Sequence, residues 1–152
     1  LDRFMFNVLL TYPTFDQEIS VVKNTTSDYS AKLDKILSAE EIVFFQQLVR
    51  RIPIPDNVVN YAVTLSARTR PNTELATADA NEYLSWGAGP RSSQYLVIGA
   101  KCHAAFHGKF SPDIDDVKAV APAILRHRLV RNYKAEAENI SVENIISKLL
   151  GM

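Results

Sequence analysis

The chain has 152 residues, 47% of them hydrophobic, and its 17 basic residues are balanced by 17 acidic ones. That is the size of one domain with a real core, which excludes a disordered chain; the balanced charge leaves no global field to draw in nucleic acid or anionic lipid. The single cysteine, Cys102, excludes an internal disulfide framework and a cysteine-cluster zinc finger.

Phe4 to Leu10 is a nearly continuous apolar run closed by Thr11-Tyr12-Pro13, which predicts a buried strand that Pro13 ends. One strand cannot satisfy its own ladder, and no other segment alternates, so its partners are expected to be missing from this chain. The chain also starts at Leu1 directly before that strand, as if cut from a larger protein. From Thr14 onward the periodicity is helical. Thr14 with Gln17, and Ser38 with Glu41, have capping-box spacing and predict helices running to about Thr25 and over Glu40 to Arg50. The first carries Phe15, Ile19 and Val22 on one face; the second turns Ile42, Phe45, Leu48 and Val49 inward.

After Pro53 and Pro55, Asp56 is expected to cap a helix through Leu65. Arg68 to Thr77 reads as a loop, and a short segment follows to Trp86. Arg91 to Gly108 predicts a helix apolar nearly all round, and Ser111-Pro112-Asp113 opens the next, with Asp113 and Asp116 in its first turn and Pro122 expected to kink or split it. Ser141 starts the last helix, Val142 to Leu150. With no run of about 18 apolar residues, no membrane-spanning helix is expected. No secretory leader is visible either, and a cytoplasmic location is the default.

The stretch richest in chemistry is Trp86-Gly87-Ala88-Gly89-Pro90-Arg91-Ser92-Ser93. Gly87 and Gly89 permit positive φ and close approach to a ligand, and Pro90 suits the first helical position. The backbone N–H groups of Arg91, Ser92 and Ser93 then form a helix N-terminus, to which Arg91 adds a guanidinium. Together they describe an anion site suited to phosphate; the plainer reading is a Gly-Pro turn beside a solvated arginine.

Other candidates give way to simpler readings. His103 and His107 share a helix face near Cys102, but a zincin helix would need glutamate where Ala104 stands, so no metal site is expected. Arg126-His127-Arg128 with Arg131 and Lys134 is a basic cluster with little aromatic interleaving, better read as a solvated or interface-forming helix end than as a nucleic-acid contact. Glu136, Glu138 and Glu143 define no convergent acid–base pair. Arg3, by itself, is a surface arginine.

Taken together, Leu1-Asp2-Arg3-Phe4 before Tyr12-Pro13, the Gly87–Ser93 stretch, Ser111-Pro112-Asp113-Ile114-Asp115-Asp116-Val117, and Ala121-Pro122-Ala123-Ile124-Leu125-Arg126-His127-Arg128-Leu129 resemble the MoxR family of AAA+ ATPases. The resemblance covers essentially the whole chain, through Glu136-Ala137-Glu138 and the last helix. It implies a mainly α fold: residues 1–13 as the last strand and linker of the α/β ATPase core, and residues 14–152 as the small helical bundle of the lid domain. It further implies that Arg3 is an arginine finger reaching the nucleotide of a neighbouring subunit. Arg91 would be the sensor-2 arginine contacting nucleotide in its own subunit, with Gly87, Gly89, Pro90 and Ser92 shaping that contact.

The cofactors of the parent would be ATP and Mg, and its partners its own AAA+ core, neighbouring subunits of a hexameric ring, and proteins bearing von Willebrand factor A domains. Gly89 departs from the family, which commonly has serine there, a change expected to loosen the loop. No Gly-x-x-x-x-Gly-Lys-Ser/Thr loop or magnesium-binding acidic strand end occurs, so the fragment itself is expected neither to hydrolyse ATP nor to bind it tightly. The competing reading is a free-standing helical interaction module with no nucleotide role.

Overall fold

The computed structural model describes residues 2–28 and 32–151; Leu1, the first residue of the Leu-Asp-Arg-Phe motif, lies outside them. Eight helices are found among the described residues: α1 (Phe15–Thr25), α2 (Ala39–Arg51), α3 (Asp56–Arg68), α4 (Ala78–Tyr83), α5 (Pro90–Phe106), α6 (Ile114–Leu125), α7 (Tyr133–Ala137) and α8 (Val142–Leu150). Two short strands, β1 (Leu84–Trp86) and β2 (Val130–Arg131), pair antiparallel with Leu84 opposite Arg131 and Trp86 opposite Val130.

Helix α5 is the centre of the bundle, packed against α6, α3 and α2. Its inner face is built from Leu96, Gly99, Ala100 and Ala104, and a Cβ at Gly99 would stand 3.2 Å from Ile124 Cδ1 and Val120 Cγ2. Small residues therefore set the close approach of α5 to α6. Val58, Ala62 and Leu65 of α3, Val117, Ala121, Ile124 and Leu125 of α6, and Ile145, Ile146, Leu149 and Leu150 of α8 complete the core. Each fully buried Leu or Ile side chain contributes about 1.5–3 kcal/mol. Helix α8 ends at Gly151 in the left-handed conformation, φ 73°, where a residue with a Cβ is strained.

The capping boxes at Thr14–Gln17 and Ser38–Glu41 form as their spacing predicts. Four expectations need correcting. The Phe4–Leu10 run is not a strand here: residues 6–13 join no helix or ladder, because no neighbouring strand pairs with them and side chains take up their carbonyls instead. Asp56 does not cap α3; Pro55 holds the cap position, and the Asp56 carboxylate sits one residue inside, where it still suits the helix dipole. Pro122 does not split α6, since the buried Ala121, Ile124 and Leu125 pin both sides of it and Arg126 N–H donates to the Pro122 carbonyl at 3.2 Å. Ile42, Phe45 and Leu48 of α2 are about half exposed rather than inward, and α1 likewise buries no residue.

Candidate functional site

The loop between β1 and α5 is rigidly built. Thr69 Oγ1 accepts the Ala88 N–H at 2.9 Å, and Arg70 Nε donates to the Ala88 carbonyl at 2.8 Å. A Cβ on Gly87 would stand 2.2 Å from the Thr69 carbonyl oxygen and 2.6 Å from Arg70 Cα, so only glycine fits. Neither Gly87 nor Gly89 uses the positive φ that glycine permits. Gly89 caps α5 at φ −75° with nothing near its missing Cβ, so it does not loosen the loop by unusual geometry.

Pro90 takes the first helical position as predicted. Ser92 is not available to a ligand: its hydroxyl donates to the Gly89 carbonyl at 2.5 Å and lies 2.9 Å from Ser66 Oγ, its N–H also serves Gly89, and the residue is fully buried. Ser92 is the bolt between α5 and α3. The chemistry at this end of α5 is left to Arg91, whose side chain is 46% exposed.

Arg91 already holds a carboxylate. Its Nη1 lies 2.9 Å from Asp2 Oδ2, while Asp2 Oδ1 lies 3.1 Å from Arg128 Nε. Arg128 is the anchor of the whole segment: with its side chain 1% exposed, its Nη2 donates to the Asp2 and Phe4 carbonyls at 3.1 and 2.6 Å. Its Nη1 donates to the Met5 carbonyl at 3.3 Å and to Ile124 of its own helix end, and the guanidinium sits over the Tyr95 ring at 5.1 Å. Tyr95 Oη donates to the Arg3 carbonyl at 3.0 Å, and Arg126 Nη1 to the Asn7 carbonyl at 2.7 Å. His127 Nε2 lies 3.0 Å from the Phe4 carbonyl; burial pushes its imidazole below the usual range, so it donates there as the neutral ring.

Arg126-His127-Arg128 is thus an interface within the chain, gripping the backbone of residues 2–7. The structure places Arg91 and Arg128 on the Asp2 carboxylate, with the neighbouring Arg3 residue exposed and its carbonyl held by Tyr95. Asp2 and Tyr95 were not singled out by the sequence, and Arg128 only as part of a basic helix end, not as the partner of Asp2. Their contacts span 89 to 126 residues, and the only local hint was that Asp2 directly precedes Arg3.

A shallow groove of about 410 Å³ flanks the loop, lined by Arg70, Asn72, Trp86 and Gly87 among others.

The remaining candidates serve the fold. His103 Nδ1 lies 2.6 Å from Asp116 Oδ1, and His107 Nδ1 lies 2.8 Å from the His103 carbonyl. Among the described residues no group of three or more His, Cys, Asp or Glu side chains could hold a metal ion. Burial pushes the Cys102 thiol up, away from the reactive thiolate. Glu138 accepts from Tyr83 Oη at 3.0 Å and Glu143 pairs with Arg126 at 3.2 Å, in separate places. Arg131 donates to the Ile140 carbonyl and Lys134 pairs with Glu82, so neither is a loose basic patch.

Residues 76–149, which contain the Arg91 loop, α5, α6 and all but the last residue of α8, match the AAA lid domain. The chain is 31% identical over 150 residues to the chaperone MoxR1 of Mycobacterium tuberculosis, covering 98% of this chain and 39% of that one. It is 28% identical over 153 residues to the uncharacterized protein YeaC of Bacillus subtilis, covering 99% and 44%. The fold superposes on the crystal structure of a presumed ATPase from Cytophaga hutchinsonii with a TM-score of 0.88, at 30% identity over 99% of this chain and 46% of that one. The molecule is therefore a helical segment carrying an AAA lid. It is homologous to the MoxR1 chaperone, consistent with a C-terminal part of a MoxR-like AAA+ ATPase, and spans less than half the length of each of these relatives.

Proposed function

We propose that this chain is the lid-bearing portion of a ring-forming ATPase that remodels or activates partner proteins, and that it supplies two arginines to the ATP sites of the ring. Residues 1–13 form the end of the ATPase core in this reading, and residues 14–152 the lid. Arg91 acts as the sensor-2 residue on nucleotide in its own subunit; Arg3 acts as the arginine finger on the nucleotide of the next. ATP and Mg are the cofactors of the intact, cytoplasmic protein, a homo-oligomeric ring, with proteins bearing von Willebrand factor A domains as clients. Bound ATP supplies the phosphoryl group, and the arginines contribute fixed positive charge where negative charge develops in transfer.

The observation that carries this reading is the clamp on Asp2. A guanidinium at a helix N-terminus is unfavourable against the helix dipole unless an anion sits beside it. Arg91 occupies that position and holds a carboxylate at 2.9 Å, which stands in for a phosphate oxygen. The residues present therefore fit a nucleotide phosphate at Arg91. Buried Ser92 and sterically fixed Gly87 hold the arginine's helix in place without competing for the anion.

The exposed apolar faces of α1 and α2 fit both this reading and a free-standing interaction module, since either a larger assembly or a partner would cover them. Arg91→Ala in the intact ATPase decides between them. A charge-assisted hydrogen bond is worth about 1.5–3 kcal/mol, so ATP turnover is expected to fall about 10- to 150-fold. The melting curve should hardly move, because an exposed ion pair contributes about 0–1 kcal/mol. Unchanged turnover with a normal melt would overturn the sensor role and favour the interaction module.

A further inference from the structure

Asp2 binds two guanidiniums of opposite character. Arg128 is closed off from solvent, with its side chain 1% exposed, and it also holds the Asp2, Phe4 and Met5 carbonyls. Losing it would leave its own buried guanidinium site empty and strip the Asp2 and Met5 carbonyls of their donor, so this partner is permanent. Arg91 is 46% exposed and touches Asp2 through Nη1 alone, so this partner is exchangeable. The Asp2 carboxylate is itself 54% exposed and lies one residue from Arg3, whose carbonyl is fixed by Tyr95.

We propose that Asp2 is a positioning residue that competes with nucleotide for Arg91 and thereby ties the state of one ATP site to the arginine that serves the next. This rests on the roles given above to Arg91 and Arg3. In the arrangement seen here, Arg91 is neutralised by Asp2, and the Asp2 carboxylate ties the segment carrying Arg3 to two guanidiniums, those of Arg91 and Arg128. When Arg91 turns to a phosphate oxygen, Asp2 keeps only Arg128, and its carboxylate, now a like charge beside the phosphate, has no reason to stay against Arg91. The Arg3 segment then remains docked through Arg126, His127, Arg128 and Tyr95 but is released from the start of α5. The exchange moves no bond and needs no reactant beyond the nucleotide.

The test uses the intact ATPase and a non-hydrolysed ATP analogue with Mg, measured by equilibrium binding. Asp2→Asn keeps the shape and an acceptor oxygen for Arg128 Nε but removes the competing charge, and the exposure of Asp2 means that folding is not at risk. Since an exposed ion pair is worth about 0.2–1 kcal/mol, affinity for the analogue should tighten about 1.5- to 5-fold. In an Arg91→Ala background the same change should have a smaller effect, because only the through-space repulsion between Asp2 and the phosphate is left to relieve. Unchanged or weaker affinity in Asp2→Asn overturns the proposal, as does equal tightening with and without Arg91. A normal loss of turnover in Arg91→Ala alongside either result would leave the sensor role standing and remove only the competition. If Arg91→Ala itself leaves turnover intact, the underlying reading fails first.

Discussion

Gly87 and Gly89 stand two residues apart in one loop and have opposite tolerances. At Gly87 the obstacle is backbone: the Thr69 carbonyl oxygen, 2.2 Å from a Cβ there, belongs to a turn that also receives the Ala88 N–H through Thr69 Oγ1. Gly87→Ala must push that turn away and break the Ala88 contacts, an overpacking worth about 1–3 kcal/mol or more. In thermal melts this should lower Tm by several degrees, at about 2–4 °C per kcal/mol for a chain of this size. Gly89→Ser, by contrast, meets open space at an ordinary extended φ and gains a capping oxygen for α5, so it should be neutral or stabilising by a few tenths of a kcal/mol. Equal losses at both positions would mean that the loop is not braced against Thr69. The sequence pointed to both glycines but for the wrong reason, since positive φ is a local property and close approach to a residue 18 positions earlier is not. For the same reason Arg91 could be read from its motif, whereas Asp2 became visible only once the fold laid it between Arg91 and Arg128.

At the scale of elements, the parts written within four residues were legible. Capping boxes at Thr14 and Ser38, Pro90 at the start of α5 and the amphipathic α8 all follow from local spacing. Strands β1 and β2, three and two residues long, offer no period to read, and α7 is a five-residue turn capped by Asn132. Helix α6 shows both sides of this. Asp116 is in its first turn as expected, but Asp113 is the N-cap residue ahead of it; the two form a reciprocal capping box, and the fully buried Asp116 also receives His103 at 2.6 Å and Lys109 at 3.1 Å. Burial pushes the Asp116 carboxyl up, but the Asp113 N–H, His103 and Lys109 outweigh it and hold it at about 2, below the usual 3.8. Because the folded value is depressed, this stabilisation is present above the unfolded value and is lost as pH falls through about 2. At 1.36 kcal/mol per pH unit it amounts to roughly 2 kcal/mol near neutrality. Asp116→Asn should therefore lower stability at pH 7 by about that amount, while the gap to the wild type narrows as denaturant melts are repeated from pH 4.5 down to 2. A gap that stays constant over that range would show that packing, not ionisation, makes Asp116 matter.

For the molecule as a whole, one helical body carries both Arg91 and the segment with Arg3. Arg91 is fixed in the first turn of α5. Arg3 is exposed on a segment whose backbone is clamped by Arg126, His127, Arg128 and Tyr95, so the same lid also carries it, facing outward. If Arg91 serves its own subunit and Arg3 the next, the two losses must complement across a subunit boundary. An all-Arg3→Ala ring should lose about 10³- to 10⁵-fold in turnover, the scale of an arginine finger. Mixing Arg3→Ala subunits with Arg91→Ala subunits should then restore activity above either homogeneous ring. At one kind of junction an intact Arg91 site faces an intact Arg3, and random 1:1 mixing creates such junctions at about a quarter of the interfaces of a closed ring. Removing Arg3 leaves the clamp intact, since the clamp holds its carbonyl rather than its side chain. The variants should therefore still assemble, which size-exclusion chromatography of each mixture checks. A mixed ring no more active than the average of its parents would place both arginines on the same nucleotide, and the lid would then serve one site instead of linking two.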